Sequence, residues 1–182
     1  MKFTPTDIPD VILIEPQVFG DTRGYFMETF QARRMAEAGI CADFVQDNQS
    51  RSVRGVLRGL HYQIRQTQAK LIRVVNGSIF DVCVDLRKSS PTFGRWVGVE
   101  LSVDNKRQLW IPKGFAHGFY VLSDSADIVY KTDDYYAPEW ERTLNWDDPA
   151  VGIRWPIVPG VPLSLSARDQ QGKLLADCEY FE

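Results

Sequence analysis

Histidine is the scarcest chemically versatile residue in this sequence, with two copies among 182 residues. Its unperturbed pKa of about 6.5 makes it the side chain that most readily exchanges a proton near neutral pH. Acid–base chemistry that depends on histidine is therefore confined to His61 and His117.

Cysteine is also rare, and its spacing forms no motif. The three copies, Cys41, Cys83 and Cys178, lie far apart and without Cys-x-x-Cys spacing, which argues against a disulfide framework and against a zinc knuckle. No stretch approaches the roughly 20 apolar residues that cross a bilayer, and the N-terminus lacks the apolar run of a signal peptide. We expect a cytoplasmic protein without a membrane partner.

An excess of basic charge is missing as well. The formal net charge is −3, whereas affinity for a phosphate backbone needs a basic surface, so we expect no nucleic-acid partner. A few placed arginines can still bind an anionic small molecule. No repeat, low-complexity tract or linker divides the chain, and its length and 44% hydrophobic content suit a single domain over residues 1–182.

Short β-branched and aromatic runs between turn signals dominate the rest of the sequence, as in a sandwich or barrel. The clearest run is Ser78 to Leu86, which follows a turn at Asn76-Gly77. Within it Asp81, Cys83 and Asp85 alternate with apolar side chains. Nine further strands are predicted over Val11 to Glu15, Tyr25 to Phe30, Phe44 to Asn48, Val56 to Tyr62, Lys70 to Val75, Trp96 to Ser102, Gln108 to Ile111, Gly118 to Leu122 and Asp127 to Thr132. Ten strands imply an all-β fold of two packed antiparallel sheets.

Two segments depart from this pattern. Gln31 to Ala38 is rich in helix formers and is followed by Gly39, so it predicts a short peripheral helix. From about Tyr135 onward, prolines and tryptophans alternate at a density that favours an irregular C-terminal segment laid over the barrel, not a further sheet.

The segment Pro112-x-Gly114-x-x-His117 resembles a motif of the cupin superfamily, jelly-roll barrels that often bind a metal through three histidines and a carboxylate. Metal-binding cupins carry a His-x-His pair in another motif, but here His61-Tyr62-Gln63 has glutamine in the second place. Two histidines cannot supply the usual three ligands. We therefore expect a metal-free jelly roll whose imidazoles are available as acids or bases.

The candidate site residues also have purely structural interpretations. The aromatic-rich surroundings of His117 fit a buried histidine bonded to backbone as well as a histidine that contacts a substrate. His61 shares a strand with Arg58, and such polar runs favour a wet cavity. Arg23 and Glu28, taken alone, fit an ordinary hairpin and a solvated face.

Seven sequence blocks, in a fixed order, are far more specific than any single motif. They are Val18-Phe19-Gly20-Asp21-x-Arg23-Gly24, Phe44-Val45-Gln46-Asp47-Asn48, Leu57-Arg58-Gly59-Leu60-His61-Tyr62-Gln63, Lys70-Leu71, Ser90-Pro91-Thr92-Phe93-Gly94, Gln108 through Phe119, and Tyr130-Lys131. In this order they resemble the dTDP-4-dehydrorhamnose 3,5-epimerase family, and the match runs over nearly the whole chain.

The resemblance implies a cofactor-free enzyme of dTDP-L-rhamnose biosynthesis that inverts carbons 3 and 5 of dTDP-4-dehydro-6-deoxy-D-glucose. Both carbons flank the ketone at carbon 4, so loss of either proton gives an enolate that can be reprotonated on its other face. This chemistry requires a base, an acid on the opposite side and a group that stabilises the oxyanion.

Four catalytic roles are implied by position. His61 would be the base and Asp169 would orient it, since a carboxylate on one ring nitrogen fixes the tautomer and stabilises the imidazolium. Lys70 would stabilise the developing enolate, and Tyr130 would be the acid.

The same resemblance implies a set of residues that bind the dTDP-sugar substrate, in which arginines suit the diphosphate. They are Arg23, Glu28, Gln46, Asp47, Asn48, Arg58, His117, Glu141 and Arg168. The family usually has lysine at the position of Arg168 and often histidine at that of Gln49; the first change keeps the charge, and the second removes a polar ring.

The family is homodimeric, which makes a homodimer the expected assembly. The run Val11-Ile12-Leu13-Ile14 is compatible with a strand that joins another sheet. Three rival functions are an epimerase of one carbon or a ketoisomerase acting on a related dTDP-keto-sugar, an inactive sugar-nucleotide binding module, and a metal-dependent cupin. The quartet of His61, Lys70, Tyr130 and Asp169 disfavours the second rival, and the histidine count disfavours the third.

Overall fold

Strands make up most of the regular structure in the computed structural model, which describes residues 1–182. The thirteen strands are β1 (Lys2–Pro5), β2 (Ile12–Glu15), β3 (Val18–Asp21), β4 (Gly24–Met27), β5 (Gln46–Val53), β6 (Leu57–Gln63), β7 (Lys70–Asn76), β8 (Ser78–Asp85), β9 (Trp96–Ser102), β10 (Gln108–Ile111), β11 (Phe115–Val121), β12 (Ser125–Thr132) and β13 (Glu141–Thr143). The helices are α1 (Ala32–Glu37) and α2 (Ala167–Gln170), with 3-10 turns at Pro138–Trp140 and Leu175–Asp177. Neither α-helix has the length and apolarity of a membrane span.

Two antiparallel sheets pack against each other, as the strand pattern predicts. One has six strands in the order β1-β2-β10-β7-β12-β5, and the other has five in the order β13-β6-β11-β8-β9. Strands β3 and β4 form a separate hairpin. The largest apolar cluster contains residues from both large sheets, including Ile72 of β7 and Cys83 of β8. The core therefore lies between the two sheets.

Strand β8 is buried on both faces. One face, with Val82 and Val84, packs in a cluster that includes Trp155 from the C-terminal segment. The alternate face points between the sheets, and there Asp81 and Asp85 have no solvent exposure. Buried carboxylates need hydrogen-bonded partners, and each of these two has them.

The prediction that the C-terminal segment adds nothing to a sheet is wrong. It does add a strand, because β13 pairs with β6 at the edge of the five-stranded sheet, with Glu141 opposite Gln63. Its proline neighbours lie outside these three residues, so no ladder hydrogen bond is lost. Apart from α2 and the two 3-10 turns the remainder is irregular, as predicted, and Trp155 donates to the Trp146 carbonyl at 2.8 Å.

Two other differences have local causes. Strands β1 and β3 were not predicted, since each is only four residues long. Strand β5 continues through Val53 instead of ending at Asn48, because its inward polar side chains face a cavity. The predicted helix is confirmed as α1, where the Gln31 side chain accepts a hydrogen bond from the Arg34 backbone.

Candidate active site

A polar cavity of about 360 Å³ opens between the two large sheets. Strand β5 places Gln46, Asn48 and Ser50 on its wall by simple alternation, since side chains two residues apart share a face. The five-stranded sheet contributes His61 of β6 and His117 of β11. The cavity is therefore lined by polar groups from both sheets.

His61 is bonded to a buried carboxylate from the far end of the chain. Its Nε2 lies 2.7 Å from Oδ1 of Asp169, which is on α2. Burial alone would raise the pKa of Asp169, but hydrogen bonds from His61, Ser166 and the Gly59 backbone outweigh it and hold the pKa well below its usual range. Asp169 is thus an anion at neutral pH. The Nε2–H of His61 donates to it, which leaves Nδ1 as the nitrogen that can accept a proton.

A second histidine–carboxylate pair lies beside the first. His117 is directly opposite His61 in the β6–β11 ladder, and its Nε2 lies 2.9 and 3.1 Å from the two carboxylate oxygens of Asp81. Burial lowers the pKa of His117, and the Asp81 carboxylate opposes this shift without reversing it. His117 is therefore neutral near pH 7. It lines the cavity and bonds to a side chain, so it is not merely a core histidine bonded to backbone.

The facing sheet supplies Lys70 from β7 and Tyr130 from β12. Burial lowers the pKa of Lys70 to about 8, with the charge of Asp81 as the main opposing influence. Burial raises the pKa of Tyr130, and the nearby Glu141 carboxylate adds to the shift. At neutral pH the cavity therefore holds an ammonium group and a protonated phenol.

Charged residues ring the mouth of the cavity. Arg58 is fixed by hydrogen bonds from its Nε to Ser52 Oγ at 2.9 Å and from its Nη2 to the Arg51 carbonyl at 3.4 Å. Arg168 pairs with Glu141, whose Oε2 also accepts from the Tyr136 hydroxyl at 2.8 Å. Two guanidinium groups thus stand where an anionic substrate would enter.

Most of the residues implied by sequence come together here. Those that line the cavity are Gln46, Asn48, Arg58, His61, Lys70, His117, Tyr130, Glu141 and Arg168. Asp169 lies directly behind His61 and bonds to it.

Three predicted binding residues lie elsewhere. Arg23 is in the β3–β4 turn, where 88% of its side chain is exposed and it pairs with Asp21. Glu28 follows the same hairpin and pairs with Arg34 at 3.2 Å. Asp47 points to the outer face of β5 and binds Lys131 at 2.9 Å. None of the three lines the cavity of its own chain.

Sequence reasoning missed several residues that shape the site. Asp81 was noted only as one position of an alternating strand, although an acid on an inward-facing position next to a histidine strand is a usable signal. Gln63, which stands where metal cupins carry histidine, bonds only to backbone: it donates to Gln66 at 2.7 Å and to Tyr135 at 3.2 Å, and it accepts from Ala137 at 2.9 Å. It therefore anchors the loop that borders the cavity mouth.

No cluster of three or more histidine, cysteine, aspartate or glutamate side chains has the arrangement of a metal site. The chemistry that the cavity offers is proton transfer. An imidazole with a free nitrogen lies on one sheet, and a phenol and an ammonium group lie on the other. These are the groups that general acid–base catalysis with oxyanion stabilisation requires.

The fold and the cavity define a cupin-like jelly roll with an acid–base site. Residues 5–177 match the family model described as dTDP-4-dehydrorhamnose 3,5-epimerase, and the chain belongs to that family. An enzyme of that name from Pseudomonas aeruginosa is 60% identical over 182 residues, which cover 100% of this chain and 99% of the relative.

Solved structures agree with this assignment. The crystal structure of dTDP-6-deoxy-D-glucose-3,5-epimerase from Legionella pneumophila Philadelphia 1, in complex with dTDP-4-keto-L-rhamnose, has a TM-score of 0.94 and 55% identity, and the match covers 98% of this chain and 94% of that one. A 3'-monoepimerase from Streptomyces bikiniensis, in complex with dTDP-quinovose, has a TM-score of 0.87 and 36% identity, with 94% and 87% covered.

Proposed function

We infer that the protein is a dTDP-4-dehydrorhamnose 3,5-epimerase, an isomerase that converts dTDP-4-dehydro-6-deoxy-D-glucose to dTDP-4-dehydro-L-rhamnose in dTDP-L-rhamnose biosynthesis. Full-length identity of 60% to a relative of that name supports the assignment. The observation that carries the chemistry is the 2.7 Å bond between His61 and Asp169 at the wall of a cavity that also holds Lys70 and Tyr130.

In the proposed mechanism, Nδ1 of His61 removes the proton from carbon 3 or carbon 5. The electron pair of the broken C–H bond forms the enolate double bond, and negative charge moves to the oxygen on carbon 4. Asp169 stabilises the imidazolium through Nε2. The Lys70 ammonium stabilises the enolate oxygen, and one such donor in a dry site is typically worth about 3–4 kcal/mol.

Reprotonation completes the inversion. The Tyr130 hydroxyl, on the facing sheet, donates its proton to the carbanionic carbon from the side opposite His61. The enolate electrons then form the new C–H bond, and the ketone returns. Proton exchange with water resets both groups, so the cycle consumes no cofactor.

Substrate binding falls to the rest of the cavity. Arg58 and Arg168 suit the diphosphate, because a guanidinium group makes paired, charge-assisted bonds to phosphate oxygens. Gln46, Asn48 and Glu141 offer hydrogen bonds to the nucleoside and the sugar. Neutral His117 has its Nδ1 available as an acceptor for a sugar hydroxyl.

We also propose a homodimer, which gives Arg23 and Glu28 a place in binding. The β3–β4 hairpin that carries Arg23 exposes Phe19, Tyr25 and Phe26, with 55%, 55% and 69% of each residue accessible. Exposed aromatic clusters of this kind mark interaction surfaces. Packed against a second copy, the hairpin would bring Arg23 toward the partner's cavity.

A cytoplasmic location of the protein stays a prediction.

One alternative has a specific observation behind it. The Streptomyces bikiniensis relative shares the fold at 36% identity and is a 3'-monoepimerase. Incubating the protein with dTDP-4-dehydro-6-deoxy-D-glucose in deuterium oxide distinguishes the two reactions by NMR. We expect label at carbons 3 and 5; label at carbon 3 alone would select the monoepimerase, and label at neither would select another sugar nucleotide or a binding protein.

The base is tested by His61→Ala in the same assay. We expect exchange at both carbons to be lost, since no other imidazole lies at this point of the cavity wall with Asp169 behind it. Binding of dTDP, measured by calorimetry, should stay close to the wild-type value because His61 acts on the sugar. A loss of dTDP affinity as large as the loss of rate would show that His61 is structural.

A further inference from the structure

The carboxylate of Asp169 accepts four hydrogen bonds, and two of them come from one residue. Oδ1 accepts from His61 at 2.7 Å and from the Gly59 backbone at 3.1 Å. Oδ2 accepts from the Ser166 hydroxyl at 2.6 Å and from the Ser166 backbone at 3.2 Å. Oδ1 therefore binds the cavity histidine, and Oδ2 binds Ser166.

These Ser166 contacts form the capping box of α2. Ser166 is the N-cap, and its hydroxyl accepts from the Asp169 backbone at 3.2 Å while the Asp169 side chain bonds back to the Ser166 backbone. A helix of four residues has almost no stability of its own, because nucleation is costly. The cap is therefore the main local interaction that defines where α2 begins and where Asp169 points.

Ser166 has no other evident task. It is exposed and does not line the cavity, whereas Asp169 is only 3% exposed. Without the hydroxyl, Oδ2 would keep only the longer bond from the Ser166 backbone, at 3.2 Å, and rotation of the carboxylate about its bond to Cβ would be restrained less firmly. Rotation would carry Oδ1 away from His61, and the ring would then lose the contact that selects its tautomer.

We propose that Ser166 is a positioning residue for catalysis, which acts through Asp169 to hold His61 with Nδ1 as its proton-accepting nitrogen. The inference rests on the proposed function, in which His61 is the base. It extends the catalytic unit from a pair to a chain of three side chains, in which a helix cap fixes the orientation of the base.

The kinetic test compares Ser166→Ala with Ser166→Thr. We expect Ser166→Ala to lower kcat by about tenfold or more, the scale of loss that a small misplacement of a catalytic group produces. The fall in kcat should exceed any rise in KM, since Ser166 is outside the cavity and reaches the binding residues only through Arg168 on the same short helix. Ser166→Thr keeps the hydroxyl and a good N-cap, so its kcat should stay within about twofold of wild type.

A second variant guards against loss of the fold. Glycine is nearly as good as serine at an N-cap, so Ser166→Gly removes the hydroxyl with little loss of stability. We expect the same fall in kcat as for Ser166→Ala. Wild-type kcat in a folded Ser166→Gly or Ser166→Ala protein would overturn the proposal.

Nitrogen-15 NMR of the two histidines gives a readout that does not depend on turnover. We expect Ser166→Ala and Ser166→Gly to shift the ring nitrogens of His61 toward a mixture of tautomers. His117, bonded to Asp81, should be unaffected and serves as the internal control. Unchanged His61 signals would overturn the proposal even if the enzyme proved to act on another substrate, so the two failures are distinguishable.

Discussion

Lys70 is a buried cavity group whose charge depends on its surroundings. Burial lowers its pKa to about 8, and Asp81 is the strongest influence in the other direction, followed by Glu141. The ammonium form is therefore dominant at pH 7 and is lost as pH rises through about 8. Oxyanion stabilisation by Lys70 should fall over the same interval.

This gives a prediction for Asp81→Asn. Removing the carboxylate lowers the pKa of Lys70 further, so the alkaline limb of the profile of kcat/KM against pH should move to lower pH. Asp124→Asn is a matched control, because Asp124 is 94% exposed and pairs with Arg54 away from the cavity. An alkaline limb that stays in place in Asp81→Asn would mean that Lys70 does not set it.

At the scale of single elements, the close approach of the antiparallel neighbours β6 and β11 depends on Gly59. Its φ is +113°, and a Cβ built there would lie 2.6 Å from the His117 carbonyl oxygen and 2.7 Å from Gly118 Cα. These are backbone atoms, which cannot move aside as a flexible side chain can. The absence of a side chain at Gly59 thus lets the strand of His61 approach the strand of His117.

Gly59→Ala should therefore destabilise the fold by about 2 kcal/mol or more, from conformational strain plus displacement of β11, and it should abolish turnover. Gly160→Ala is the matched control, since Gly160 also has a positive φ, +78°, but nothing lies within 4 Å of a built Cβ. It should cost only about 1–2 kcal/mol. Equal losses for both variants in urea unfolding would contradict the role of close strand approach.

The sequence predicted elements best where one side-chain pattern decided them. Strand β8 begins at Ser78 after the Asn76-Gly77 turn and alternates as expected. Strand β5 was cut short because a polar strand with one face on a cavity resembles a loop when read alone. Strand β13 was missed because three residues carry too little pattern, and its pairing with β6 depends on packing of the whole C-terminal segment.

The site residues divide in the same way, between those marked by a local sequence pattern and those brought together by tertiary packing. The His61 segment is conspicuous because polar residues cluster in it, whereas Asp169 is 108 residues further along the chain and no local pattern joins the two. Only the family resemblance paired them, and only the structure revealed that Ser166 bonds to Asp169 and that Asp81 bonds to His117. Contacts between distant segments are set by tertiary packing, which a reading of local periodicity does not contain.

At the scale of the whole molecule, Arg23 provides a test of the proposed dimer. Two inactive variants, Arg23→Ala and His61→Ala, are co-expressed with different affinity tags, and mixed dimers are purified through both tags. If Arg23 serves the partner's cavity, one of the two sites in each mixed dimer is complete. Activity per mixed dimer should then be about half of the wild-type value.

The controls are the two homodimers, which should both be inactive. A mixed dimer without activity would place Arg23 in its own chain's site, and an active Arg23→Ala homodimer would place it outside the site. A single species of 20.8 kDa in light scattering would exclude the dimer itself.

The cavity residues belong to two different sheets, and this arrangement has a consequence for the chirality of the sugar product. His61 belongs to the five-stranded sheet, and Tyr130 belongs to the six-stranded sheet. A planar enolate held between them presents one of its faces to each wall. With the roles proposed here, a proton leaves toward one wall and arrives from the other, so the handedness of the new sugar is set by the packing of one β-sheet on another.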